Sequence, residues 1–491
     1  MSVLTLIVLI AIVYGALNSY GYGRALAIGG ATSAGAFVTV GATSVPTFYV
    51  AAFGGIALFV VARLLKPDPA DTVRFRDVPG VMLLSVFFIW SLVVIGLSPL
   101  IFNGARLVSP TATQLIAGVI TTSNIAQLSY LAIGIGAMVI LARARNAGPE
   151  IIGLTLVLAI GLSFWRYLNI YAGVPFPEGL FDNSPGFAYI ETAPGGVARF
   201  RGIFSEPAAL AGSAIVTVAY GFSRAYRLRG ARRIGLLVLV SVAIFLGFFS
   251  TSTTFFVAGI VMLAIVGVTF GLGLLARRMQ LNSGIVIVGC VLAIAAIWVL
   301  PAVGTLVGTA LEDKFGSASY SERSGSDSGS YQVFIDSWGF GVGLGSGRAS
   351  SILPTLLSTS GLLGTLMFAV AIVGVGIRAV PLQHLRPVLW ALVTLFVVKL
   401  IAGPDPFDPT GLLWMCLGVL GHGIIAADRV QNATRFYDRR GSRTSHRRSL
   451  ANIDRPSSER PPRTLGEQVR RSFDKPMHQN GQSETDTEGA R

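Results

Sequence analysis

Uninterrupted apolar runs of 16 to 25 residues recur along the first 426 positions of this 491-residue chain. A helix rises 1.5 Å per residue, so runs of this length match the ~30 Å hydrocarbon layer of a bilayer. That layer offers no water to backbone N–H and C=O groups, so each run must close its hydrogen bonds on itself. Only 13% of the residues are charged, about half the usual share in a soluble domain. The expected fold class is an all-α polytopic membrane protein. Candidate spans are residues 2–18, 25–43, 46–64, 80–98, 125–143, 150–168, 204–222, 234–249, 254–275, 284–303, 351–377, 387–402 and 411–427.

The first run, SVLTLIVLIAIVYGALN, has no Lys or Arg before it and no small-residue cleavage site after it. It therefore reads as a retained segment rather than a signal peptide. Cys290 and Cys416 both lie inside apolar runs and read as small core residues, with no disulfide framework or metal site.

The loops fall into two kinds. Residues 63–77, 142–148, 223–233, 276–280 and 378–386 are short and basic, whereas 99–124, 169–203 and 304–350 are long and poor in Lys and Arg. The two kinds alternate from residue 46 onward, so the positive-inside rule puts the basic set in the cytoplasm and the long set outside. Residues 21–43 are only mildly hydrophobic. If they span, there are thirteen helices and an external N-terminus; if not, there are twelve and both ends are inside.

Two regions follow from composition: a transmembrane domain over residues 1–427 and a basic tail over 428–491. The tail carries 14 Lys and Arg against 9 Asp and Glu, with many Ser and Pro and few large apolar residues. Such a segment buries too little surface to offset chain entropy and is expected to be disordered. Its charge suits anionic headgroups or a docking role toward other assembly proteins. The net charge of +14 is otherwise spread through short loops, which orients helices and implies no nucleic-acid partner.

The chain holds no P-loop, GxSxG, HExxH or paired CxxC, and none of His384, His422, His446 and His478 falls in a long external loop. Neither a cofactor nor a metal ion is expected. External charge is concentrated instead in two places. In ARFRGIFSEPAALAG, residues 198–212, Arg199 and Arg201 precede a helix start at Ser205 or Glu206, with Pro207 in its first turn. Forked guanidiniums beside a helix N-terminus suit a phosphate, and Glu206 is placed either to pair with an arginine or to act as a general base. The second stretch, residues 312–351, holds a short helix around SYQVFIDSW and then GFGVGLGSG, bracketed by Arg323 and Arg348. Five glycines in nine residues would let backbone N–H groups approach a ligand, while Asp327 and Asp336 suit structural caps. Lys399 sits near the outer end of its helix with Asp405 and Asp408 beyond, and reads as snorkelling to pair with those aspartates or, as the second reading, as a functional intramembrane lysine. Arg166, flanked by aromatics in SFWRYLNIYAG, reads as part of an interfacial belt.

These two clusters resemble the O-antigen polymerase and ligase superfamily, the Wzy-like membrane proteins. The resemblance rests on R-x-R-G-x-F-x-E-P-x-x-L-A at 199–211, the arginine-led helix ending in F-G-V-G-L-G at 323–345, STSGLLGTL at 358–366 and the Ser-rich turn STSTTFFVAGI at 250–260. It implies a GT-C-like, metal-independent glycosyltransferase on the outer face of the bacterial cytoplasmic membrane, acting on undecaprenyl-diphosphate-linked glycans. On that resemblance Arg201 and Glu206 are the expected catalytic residues, with Arg201 and Arg323 as leading diphosphate contacts and Arg199 and Arg348 in support. The chain lacks the histidine that ligases of the superfamily carry after the second loop, which favours a polymerase. The Ser-rich turn also lacks the arginine often found there. A transporter or flippase of lipid-linked oligosaccharide is the alternative and predicts inverted repeats and helices broken at the midplane. A non-catalytic scaffold is the third reading.

Overall fold

The computed structural model describes residues 3–17, 21–32, 37–40, 43–65, 73–108, 113–144, 146–183, 199–275, 318–404, 407 and 409–453. It is an all-α polytopic membrane protein. The helices are α1 (Val3–Leu17), α2 (Gly21–Thr32), α3 (Thr47–Leu65), α4 (Val81–Ile101), α5 (Thr122–Arg143), α6 (Glu150–Ala172) and the short α7 (Glu178–Phe181). They continue as α8 (Pro207–Ala225), α9 (Ala231–Phe249), α10 (Thr253–Leu275), α11 (Ala318–Asp336), α12 (Ile352–Ala379), α13 (Arg386–Ile401) and α14 (Leu412–Ile453). Eight helices among the described residues are long and apolar enough to cross a membrane.

The expected spans at 2–18, 46–64 and 204–222 correspond to α1, α3 and α8, which are helical but not among those eight. The span expected at 284–303 lies outside the described residues. Residues 25–43 differ from expectation. They form the end of α2 and the first strand of a hairpin in which Phe37–Val40 (β1) pairs antiparallel with Thr43–Pro46 (β2). At 12 residues, α2 covers only about 18 Å. Its C-terminal end meets the start of α3 through Thr32 and Thr47, whose hydroxyls lie 3.2 Å apart, and Thr47 also donates to the Gly29 carbonyl at 2.8 Å. The two helices are therefore antiparallel.

The chain divides into Met1–Asp428 and Arg429–Arg491. The helical backbone of α14 continues through residues 428–453. No proline interrupts that stretch, and its Arg, Ala and Gln residues favour helix. Residues 454–491 lie outside the described residues.

Two apolar clusters hold the bundle. One contains Phe48, Phe87, Leu131, Phe368 and Trp414; the other contains Ile160, Phe204, Leu210, Leu246 and Val398. In the first, α5 and α14 approach so closely that a Cβ on Gly134 would overlap the Trp414 indole. Trp414 is wholly buried, and its Nε1–H donates to the Phe407 carbonyl at 3.2 Å.

The helix ends sort by chemistry. At one end the basic loops meet in ion pairs, Arg224 with Glu150 and Arg378 with Asp428. At the other, the long loops converge. Ser98 donates to the Gly341 carbonyl at 2.6 Å, Asn124 to the Leu344 carbonyl at 2.6 Å and Gly403 N–H to the Ser350 carbonyl at 3.1 Å. The site lies at this loop-rich end.

Candidate functional site

The RFR string presents its two arginines to different surroundings. Arg201 is 3% exposed. It donates from Nη1 to Asp182 Oδ1 at 3.0 Å, from Nη2 to Asp182 Oδ2 at 2.5 Å and from Nη1 to the Phe204 carbonyl at 2.8 Å. Arg166, 4% exposed, forks onto the same carboxylate at 3.0 and 2.9 Å. Burial pulls the Asp182 carboxyl upward, but the hydrogen bonds and charges of Arg201 and Arg166 outweigh it and hold it below the ordinary carboxylate value. Arg201 is thus committed to clamping the loop after α6 to the segment before α8. Arg166 is likewise no interfacial anchor, because a guanidinium in an apolar wall needs a partner and the chain supplies one 16 residues on. Asp182 was not singled out by the sequence, although a buried arginine demands a carboxylate within loop reach.

Arg199, two residues earlier, is half-buried and donates from Nη2 to the Thr251 carbonyl at 3.2 Å. Thr251 lies in the Ser-rich turn between α9 and α10 with φ +48°, a left-handed conformation that aims its carbonyl at this arginine. Burial, then the positive charge of Arg323 on α11, lowers the Arg199 pKa from its ordinary value. Two guanidiniums from separate segments thus come within electrostatic reach. Among the described residues neither has a carboxylate partner.

Glu206 stands at the N-cap of α8 with Pro207 in the first turn, but its side chain makes no capping hydrogen bond. Instead it lines a cavity of about 150 Å³ together with Arg348, Lys399, Ser205 and Thr410. Lys399 is 6% exposed; Asp405 and Asp408, the partners expected for it, lie outside the described residues. The cavity is below the ~300 Å³ of a small-molecule pocket.

The cavity and the arginine pair share supports. The Arg323 carbonyl accepts from Ser350 Oγ at 3.4 Å, the Arg348 carbonyl accepts from Ser326 Oγ at 3.3 Å, and Gly403 of the cavity wall bonds to Ser350. Asp327 caps α12 by accepting from Ser350 N–H at 2.7 Å, Ser351 N–H at 3.2 Å and Ser351 Oγ at 3.0 Å. Asp336 accepts from Gln332 Nε2 at 2.7 Å. Glu206 and Arg348 thus share one cavity, Arg199 lies within electrostatic reach of Arg323, the backbones of the Arg323 and Arg348 segments are tied together, and Arg201 is turned away into its clamp.

The glycine-rich stretch serves the fold. Gly341, Gly343 and Gly345 have φ of +90°, +97° and +85°, and the N–H groups of Gly341 and Gly343 are taken within the chain. Val342 N–H donates to the Ser358 carbonyl at 2.8 Å, Gly343 N–H to the Thr359 carbonyl at 2.9 Å and Gly341 N–H to Ser337 Oγ at 3.2 Å. A Cβ on Gly341 would lie 2.6 Å from the Gly361 nitrogen. At Gly361 itself α12 breaks (φ +69°, ψ −176°). The stretch thus seals a broken helix rather than cradling a ligand.

Among the described residues no cluster of His, Cys, Asp and Glu could hold a metal ion. No known protein family and no curated protein matches the chain.

Proposed function

We propose that this chain polymerises undecaprenyl-diphosphate-linked oligosaccharide repeats by inverting glycosyl transfer on the outer face of the bacterial cytoplasmic membrane. The observation that supports this reading is the Arg199–Arg323 pair, which has no carboxylate partner among the described residues, together with the Ser350 hydrogen bond that ties the Arg323 backbone to the segment carrying Arg348 beside the Glu206 cavity. Two neighbouring guanidiniums with no carboxylate partner among the described residues favour an incoming dianion such as a diphosphate. In the reaction a sugar hydroxyl of the acceptor attacks the anomeric carbon of the donor. The new C–O bond forms as the bond to the lipid diphosphate breaks, the electron pair leaves with the diphosphate, and the hydroxyl proton passes to the Glu206 carboxylate. Arg199 and Arg323 stabilise the charge that grows on the leaving group, where such donors matter most. Arg201 acts as a positioning residue, since its clamp on Asp182 fixes the segment that carries Arg199 and Glu206.

The break in α12 favours a second reading, a transporter of lipid-linked oligosaccharide, because broken helices mark such sites. Yet the carbonyls at the break are taken: Ser358 and Thr359 by the glycine-rich stretch, and Ser360 by Trp90 Nε1–H at 2.8 Å. A cell lacking the chain separates the two. Single unpolymerised repeats on the outer leaflet support the polymerase, whereas precursor retained on the inner leaflet supports the transporter. Complementation with Glu206→Gln should leave single repeats despite normal protein levels; full-length polymer from that variant would remove Glu206 as the base.

A further inference from the structure

A second cavity, of about 860 Å³, opens at the other end of the bundle. Arg24 of α2, Asn146 of the α5–α6 turn, Glu150 of α6, His384 before α13 and His422 of α14 line it, over an apolar floor of Ile151, Leu154 and Leu385. Apolar walls with a few convergent polar groups are the usual make-up of a ligand site.

The walls are fixed by close approaches. A Cβ on Gly23, next to Arg24, would overlap the Ile151 side chain, and one on Gly423, next to His422, would overlap Leu385, next to His384. These two contacts set α2 on the start of α6, and the His384 turn on α14. Tyr220 Oη donates to the Pro149 carbonyl at 2.7 Å and pins the turn between them. The cavity is therefore preformed.

Arg24 and Glu150 are the charged groups of its lining. Glu150 is paired with Arg224, while Arg24 has no carboxylate partner among the described residues. Two imidazoles face the same space. This end also carries the basic loops, which the positive-inside rule sets against the cytoplasmic leaflet and its phosphate headgroups.

We infer that this cavity is a binding site for a phosphate-bearing ligand, with Arg24 as the fork and His384 and His422 as flanking donors. The site is separate from the loop-rich end and does not rest on the reading given to it. The phosphate comes either from a lipid headgroup entering from the membrane or from a soluble phosphomonoester, and two probes tell these apart. Full-length protein in neutral detergent is titrated with dioctanoyl phosphatidylglycerol and with sn-glycerol 3-phosphate, using dioctanoyl phosphatidylcholine as the zwitterionic control. Binding of the anionic lipid alone assigns a headgroup source, and comparable binding of glycerol 3-phosphate assigns a soluble one. Arg24→Gln should weaken the bound probe about tenfold or more, the loss of one charge-assisted contact. Glu150→Gln should tighten it severalfold by removing the neighbouring carboxylate, a gain that misfolding cannot produce. Absence of binding by both anionic probes, equal binding of the phosphatidylcholine control, or an affinity indifferent to both substitutions overturns the assignment.

Discussion

Arg199 and Arg201 stand two residues apart, yet one is closed off and the other is left open. Arg201 shares the Asp182 carboxylate with Arg166, and all three side chains are largely buried. Arg199 has a backbone carbonyl and another guanidinium for company. The first arrangement is satisfied from within the chain and holds a loop in place. The second has no carboxylate partner among the described residues. Proximity in sequence therefore says little about role here; what separates the two arginines is whether the fold supplies a counter-charge.

The largest expected effect lies on the closed side. Asp182→Ala strands two buried guanidiniums and should cost about 3–5 kcal/mol, read as a large fall in Tm of the detergent-purified chain. An unchanged Tm would break the contrast at once. The pH dependence has a definite sign. Because the Asp182 carboxyl is held below its unfolded value, its contribution is complete above about pH 4 and fades as pH falls through its own lower value. The Tm gap between wild type and Asp182→Asn should stay constant near neutrality and close in acid. A gap that opens as pH falls would contradict this assignment.

The open side should respond in function. Arg323→Gln is expected to slow glycan extension by about 10²–10³-fold, as for loss of a donor to developing charge, while Tm holds or rises slightly. If Tm instead collapses as in Asp182→Ala, the pair is structural and the comparison fails.

The fold class was legible because apolar run length and backbone satisfaction leave a membrane chain few choices. The sorting of basic and long loops to opposite ends was legible for the same reason. Residues 25–43 misled because glycine and threonine are mildly hydrophobic in sum, and composition cannot distinguish a short helix plus a hairpin from one long helix. The site was half legible. Arg199, Arg323, Arg348 and Glu206 could be found by their rarity in an apolar chain. Arg201 looked equivalent to Arg199 because its partner Asp182 sits 19 residues away. The glycines at 341–345 announced close approach correctly, but not that the approaching group would be the chain's own broken helix.

The smallest effect tests the pair most directly. Neutralising either arginine relieves a like-charge contact in a half-buried setting, so Arg199→Gln and Arg323→Gln should each raise stability by under about 1 kcal/mol. Relief can be gained only once, so the double variant should gain less than the sum of the singles, a coupling that a double-mutant cycle reads out. Pyrophosphate sharpens the test, because an anion that bridges the two guanidiniums stabilises the wild type by mass action. The Tm rise with pyrophosphate should shrink in each single variant and vanish in the double, while the Asp182 clamp stays intact. Additive singles with an undiminished pyrophosphate response would mean that the two guanidiniums act independently, and the distinction between the open and closed arginines would then rest on Asp182 alone.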